Sequence, residues 1–407
     1  MNEPTIVVTG LGVISAIGNN VSEFWKSLES GTSGIAPLDP PEPDLNFSNV
    51  AAVRNFDPMD HFESRQQRNL DRSTQFGLIA AREAIADSGI SFNDRMASRT
   101  GVITGCSIGG AATQDAAYEK LYGQGGRRTS PMTIPNIMPS AGASHISMEF
   151  GLRGPAFTIS SACSSSSHAI GTALSLLRSG AIDVAIAGGH ESQLNRGCLF
   201  AWDALRVVSP TICLPFSADP PGMILGEGGA MMVLETLESA QARGADIYAE
   251  LAGFGMNSDA HHLTAPSLEG PTDAMRAALT DAGLSTSDVD YINAHGTGTV
   301  ANDANEVRAI EEVFGEEAEA LALSSTKSWH GHTIGAAGAI EALATILAIH
   351  RGVLPPTIFS PPLHPDCDLD IVRNESRPAQ IRAALSNSFA FGGLNAVLAF
   401  RQTASNR

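Results

Sequence analysis

One cysteine set among small residues is the first position that could do chemistry. Thr158-Ile159-Ser160-Ser161-Ala162-Cys163-Ser164-Ser165-Ser166-Ser167-His168 reads as a strand, a turn and the start of a helix. At a helix N-terminus the unpaired N–H groups and the dipole favour an anion. A thiol there is expected to be more acidic than usual, and the thiolate is the reactive form. A buried, inert cysteine is the commoner fate of a free thiol, and the local sequence leaves both readings open. A zinc site on Cys163 and His168 lacks a second Cys/His pair at ligand spacing. His261-His262 and His330-Gly331-His332 do not make a metal site by themselves either.

Two further turns carry histidine, glycine and threonine together. Asn293-Ala294-His295-Gly296-Thr297-Gly298-Thr299 follows a predicted strand, where α/β folds place ligand-handling residues. Ser325-Thr326-Lys327-Ser328-Trp329-His330-Gly331-His332-Thr333 repeats the plan ahead of a Gly/Ala-rich helix. Singly, each histidine reads as a satisfied structural residue; together with a candidate thiolate they make a stronger case for a site. Gly10-Leu11-Gly12 has a competing reading as a phosphate loop. It lacks the third glycine of the dinucleotide fingerprint, and no Walker A pattern is present.

The elements that must position these residues alternate between strand and helix. Ile6–Thr9 reads as a strand ending in a glycine turn, and Asp71–Ser88 as a helix. Gly101–Thr104, Phe157–Ile159 and Val184–Ala187 read as buried strands, with the helix Ser164–Arg178 between the last two. The plan recurs after Arg243–Asp246. Tyr248–Gly255, Asp290–Asn293, Ala320–Ser324, Ala383–Ser388 and Ala396–Arg401 are predicted strands. Thr272–Ala282, Asp303–Phe314 and Ala336–His350 are predicted helices. The expectation is an α/β protein of two comparable halves, residues 1–245 carrying the cysteine and 246–407 the histidines. Asp39–Asp44 and Gly352–Asp370 read as surface loops.

Composition narrows the function classes. The chain has 407 residues, 25 Lys+Arg against 43 Asp+Glu, and a formal net charge of −18. Such acidity argues against non-specific nucleic-acid binding. A 43% apolar fraction excludes a disordered chain. No apolar run approaches the roughly 20 residues of a membrane span, and Met1 to Gly10 lacks the basic start and cleavage site of a secretory leader. Five scattered cysteines fit reduced thiols and a cytoplasmic protein.

With those motifs in hand, the chain resembles the β-ketoacyl-acyl carrier protein synthases. The likeness is carried by Cys163 in its Ser-Ser-Ala-Cys turn, His295 in Asn-Ala-His-Gly-Thr-Gly-Thr, and Lys327 and His332 in the second histidine turn. Asn387-Ser388-Phe389-Ala390-Phe391-Gly392-Gly393 adds to it, as do Pro215–Asp219 and Gly226-Glu227-Gly228. It runs from Val7 to the last strand. It implies a thiolase-like fold, two related α/β halves in five α-β-α-β-α layers, usually a dimer.

The reaction it implies is a decarboxylative Claisen condensation. Cys163 would accept an acyl chain from acyl carrier protein, and malonyl-carrier protein would lose carbon dioxide and attack the thioester. His295 and His332 would stabilise the enolate. The backbone N–H groups of Cys163 and Phe391 would hold the tetrahedral oxyanion, and Phe391 would also gate acyl loading. The resemblance places Lys327 near Glu306, steadying the histidines, with Asp303 a second supporting acid. Thr297, Thr299 and Thr264 would contact the phosphopantetheine arm. No cofactor or metal is implied, because the substrates ride on the carrier's phosphopantetheine.

An acidic carrier meeting an acidic enzyme needs a local basic patch. Arg65, Arg68, Arg72, Arg127, Arg128 and Arg206 are the candidates by position. Leu394 stands where Thr or Ser is usual, Pro220-Pro221 where an Arg is typical, and Met223-Ile224 replaces an aromatic-aliphatic pair; the Ser164–Ser167 run is unusual too. These departures point to a dedicated pathway, type II polyketide or aryl-polyene, as readily as to fatty-acid synthesis. They also point to a heterodimer with a chain-length-factor-like partner as readily as to a homodimer. A non-decarboxylating thiolase would carry a second cysteine in the Phe389–Asn395 turn, which has none. A non-catalytic partner subunit would not need Cys163.

Overall fold

The computed structural model describes residues 3–359, 362–365 and 367–403. Met1 and Asn2 of the segment read for a leader, and three positions of the Gly352–Asp370 loop, lie outside that set. One mixed sheet of 11 strands runs through the molecule. In chain order the strands are β1 (Ile6–Ser15), β2 (Thr100–Gly105), β3 (Ala156–Ile159), β4 (Val184–Glu191), β5 (Gly228–Thr236) and β6 (Ala249–Ser258). They continue with β7 (Tyr291–Asn293), β8 (Ala322–Ser324), β9 (Asp370–Ile371), β10 (Ala383–Ala390) and β11 (Leu394–Arg401). Six helices matter most: α1 (Arg72–Ser88), α2 (Ala141–Phe150), α3 (Ser165–Arg178), α4 (Glu269–Ala282), α5 (Val300–Phe314) and α6 (Ala337–Arg351).

The strand order β9-β8-β7-β10-β11-β6-β1-β5-β4-β2-β3 contains the same motif twice. β3, β2 and β4 are parallel, and β5 and β1 follow antiparallel. β8, β7 and β10 are parallel, and β11 and β6 follow antiparallel. The two motifs join where β1 meets β6 at Val7↔Glu250 and Val8↔Ala249.

Five layers result. α1 and α2 cover the outer face of the first motif, and α4 and α5 that of the second. α3 and α6 lie between the motifs, each touching strands of both. This inner layer explains why α6 is buried from Ala337 to Ile349. The stretch Ile334–Arg351 is long and apolar enough to cross a membrane by composition, yet 89% of it is buried inside the protein. A core helix needs the same apolarity on every side.

Three sequence expectations change. β1 does not stop at a glycine turn but continues to Ser15, paired along its length with β5. Gly10 and Gly12 are there because α1 crosses closely: a Cβ on either would stand 2.1 Å from Ala84 O or 2.0 Å from Ala80 O. With Gly10-Leu11-Gly12 inside a ladder, no phosphate loop forms. β5 itself was not among the expected strands. Within the Gly352–Asp370 loop, Val353–Leu354 forms a short strand against Arg377–Pro378.

Candidate active site

The nucleophile's position is set by a tight elbow. β3 ends at Ile159, Ala162 takes φ 50°, and a single turn over Ala162–Ser164 leads into α3. A left-handed non-glycine residue costs about 1 kcal/mol. Ser165 holds the elbow: its Oγ accepts from Ser161 N–H at 2.9 Å and donates to Ala162 O at 2.6 Å. Ser166 Oγ accepts from Ala339 N–H at 2.9 Å, and Ser167 Oγ meets Ser388 Oγ at 2.8 Å. The serine run is therefore a seam of small residues that lets α6 and β10 come close.

Cys163 is 6% exposed. Burial pushes its thiol up to about 12, while Lys327 and the backbone N–H groups of Phe391 and Cys163 pull it down by less. The expectation of a more acidic thiol is thus overturned. Helix-end stabilisation is present, but desolvation by burial outweighs it.

The histidines come from the second motif. His295 follows β7, and His332 lies two residues before the turn Ile334–Ala336 that leads into α6. Their rings meet edge to face, 5.5 Å apart at 85°. Both are buried and have no partner at Nδ1 among the described residues. Burial first, then the Lys327 charge, holds both well below the usual histidine range, so both imidazoles are neutral.

Lys327 sits under this pair, fully buried. It donates to His295 O at 2.6 Å and pairs with Glu341 of α6 at 2.6 Å. Its carboxylate partner is thus Glu341 rather than the expected Glu306. Glu306 instead accepts the N–H groups of His295 at 2.8 Å and Gly296 at 2.7 Å, fixing the first histidine turn. Asp303 accepts from Phe216 N–H at 2.9 Å and Gly298 N–H at 3.2 Å; burial raises its carboxyl to about 7.

Cys163, His295, His332, Thr297, Thr299, Thr264 and Phe391 line one cavity of about 240 Å³. Thr297 and Thr299 share a hydroxyl contact of 2.8 Å at its side. Of the proposed docking arginines, Arg65, Arg68, Arg127, Arg128 and Arg206 are exposed. Arg72 is instead half-buried: it pairs with Glu227 at 2.6 Å and lies over the rings of Phe56 and Phe76. Sequence reasoning missed Glu341, whose signal was the one acidic residue in a mostly apolar helix. It also missed Trp202 and Met223 on the cavity wall.

A duplicated α/β body with a cysteine elbow in one motif facing two neutral histidines from the other defines a thiolase-like acyl-transferring enzyme. The Beta-ketoacyl synthase N-terminal domain matches residues 3–240 and the C-terminal domain residues 248–360. The chain belongs to the β-ketoacyl synthase family. It is 47% identical over 397 residues to Nodulation protein E of Rhizobium meliloti (strain 1021), covering 98% of this chain and 99% of the relative. It is 41% identical over 405 residues to 3-oxoacyl-[acyl-carrier-protein] synthase 2 of Staphylococcus aureus (strain N315), covering 98% of each. Among solved structures, the ishigamide ketosynthase/chain length factor superposes with a TM-score of 0.94 at 35% identity, over 99% of this chain and 100% of that one.

Proposed function

We propose that the chain is an elongating ketosynthase that condenses an acyl thioester held on Cys163 with malonyl-acyl carrier protein. The observation that carries this is the single cavity joining Cys163 to His295 and His332 above the Lys327–Glu341 pair. Loading is a transthioesterification: the Cys163 sulfur attacks the acyl carbonyl, the carrier's phosphopantetheine thiolate leaves, and it takes up the proton the thiol has lost. No net charge enters the cavity, which suits a thiol that is neutral at rest.

The malonyl carbon–carboxylate bond then breaks. Carbon dioxide leaves, and the electron pair moves onto the thioester oxygen as an enolate. Two neutral imidazole N–H donors suit that charge. The enolate carbon attacks the Cys163 thioester, and the tetrahedral oxyanion falls to the backbone N–H groups of Cys163 and Phe391. The C–S bond breaks, releasing a β-ketoacyl-carrier protein two carbons longer and the Cys163 thiolate, which takes a proton from water to return to the neutral thiol. Lys327, Glu306 and Asp303 act as supports, Thr297, Thr299 and Thr264 as contacts to the phosphopantetheine arm, and Phe391 as the gate.

The partner is an acyl carrier protein in the cytoplasm, approached through the exposed arginines. β3 is an open sheet edge, which fits pairing with a second ketosynthase chain, a copy of itself or a chain-length-factor-like subunit. Intact-mass spectrometry with a panel of acyl-carrier proteins, then malonyl-carrier protein, tests the reading. An acyl adduct on Cys163 and a product two carbons longer are expected. No adduct from any donor, with or without a partner subunit, would move the chain to a non-catalytic role.

A further inference from the structure

Behind the cavity wall runs a chain of polar side chains that the reaction scheme does not use. Trp202 lines the cavity, and its ring lies 6.3 Å from that of Phe391 at an interplanar angle of 30°. Its Nε1–H donates to Gln193 Oε1 at 2.9 Å. Gln193 Nε2 donates to Ser107 Oγ at 2.9 Å. Ser107 Oγ and Ser107 N–H both donate to Glu191 Oε2, each at 2.6 Å. Ser107 O accepts from Ser160 Oγ at 2.9 Å, in the elbow that carries the nucleophile. The far end abuts the second histidine turn: a Cβ on Gly335 would stand 2.5 Å from Glu191 Oε2.

The donors in this chain run in one order from the indole to the carboxylate. Glu191 Oε2 accepts, so Ser107 spends its hydroxyl proton there. Ser107 Oγ can then only accept from the amide of Gln193, which turns the amide oxygen toward the indole. Gln193 is 1% exposed and uses both ends of its amide, so rotating it would strand a buried donor or acceptor. Trp202 needs such a tether. Its helix, Arg196–Ala204, buries Leu199 alone, so apolar packing fixes it weakly.

We propose that Gln193 is a positioning residue for acyl loading. It acts through Trp202, holding the indole as a fixed stop against which Phe391 rests, so that loading requires Phe391 to leave that stop. The inference rests on Cys163 as acyl acceptor and Phe391 as gate.

Gln193→Leu keeps the volume and removes both hydrogen bonds, whereas Trp202→Phe keeps a ring and removes the donor. Two half-reactions are timed by quenched intact-mass spectrometry: acylation of Cys163 by acyl-carrier protein, and condensation of pre-acylated enzyme with malonyl-carrier protein. Each variant is expected to change the acylation rate about 3–10-fold, the reach of one net hydrogen bond, and condensation by less than about twofold. The double variant should go no further than the larger single change. Gln193→Leu should also shift the emission of Trp202, isolated by subtracting the Trp202→Phe spectrum.

Equal losses in both half-reactions, or effects that multiply in the double variant, would overturn the positioning role. Unchanged acylation in Trp202→Phe would overturn it even if Gln193→Leu failed to fold. A wild-type enzyme that takes no acyl group from any donor would instead sink the ketosynthase reading, and this inference with it.

Discussion

Cys163, His295 and His332 are all held in their neutral forms by burial, and several consequences at the residue scale follow from that. Both histidines have folded pKa values below 6.5, so they stay neutral as pH falls through that value. Decarboxylation of malonyl-carrier protein should therefore be flat between about pH 8 and pH 6. A decline centred near 6.5 would mean that one of the pair is an ordinary histidine. The same shift makes the unfolded chain bind more protons below 6.5, so it contributes a loss of stability as pH falls there. Cys163→Ala should abolish the acyl adduct while malonyl decarboxylation remains measurable, because the histidine pair does not depend on the thiol. Lys327→Met leaves Glu341 buried without its cation, which should cost about 3 kcal/mol in urea denaturation at about pH 8. The loss should shrink at about pH 5, where Glu341, already raised to about 7 by burial, takes a proton. A pH-independent loss would assign the cost to packing instead.

At the scale of elements, the seam between α3 and α6 is the tightest contact near the site. A Cβ on Gly338 would stand 2.0 Å from Ser167 Oγ and 3.0 Å from Ser388 Oγ. Gly338→Ala should destabilise by about 1–3 kcal/mol by thermal or urea unfolding, and Ser167→Gly should recover part of it. Full additivity of the two changes would mean that the seam relaxes elsewhere. These elements also mark what the sequence could and could not reveal. Helical spacing located α1 and α4, and the apolar run located α6, because each buries a stripe or its whole surface. β1 was cut short because Gly10 and Gly12 look like a turn until α1 is known to cross them. The acidity of Cys163 was misjudged for a related reason: a helix start is visible in sequence, whereas the walls that desolvate it come from Met223, Phe389 and Ala390, far along the chain. Glu341 was hidden likewise, since its partner lies on another turn.

For the whole molecule, a net charge of −18 means that an acidic carrier would need the proposed patch of exposed arginines to dock. Leu205 lines the cavity, and Arg206 follows it on the surface. Arg206→Glu should raise KM for acyl-carrier protein several-fold at low salt, leave acylation by a small thioester unchanged, and lose its effect as salt rises. Arg72→Ala should lower stability, with no change in that KM that salt can modulate, because it frees the buried Glu227. An Arg72 variant that weakened docking alone would contradict its ion pair.

The inner layer of α3 and α6 also bears on synthesis. The first motif leaves the ribosome with its cysteine elbow complete, but with one side of α3 waiting for strands not yet made. Until β6, α6 and β11 arrive, that apolar side and the free edge of β1 are open to any neighbouring chain. The repeat is therefore a poor place to divide the protein: the first half made alone should collect as aggregate, rescued only when the second half is supplied while it folds.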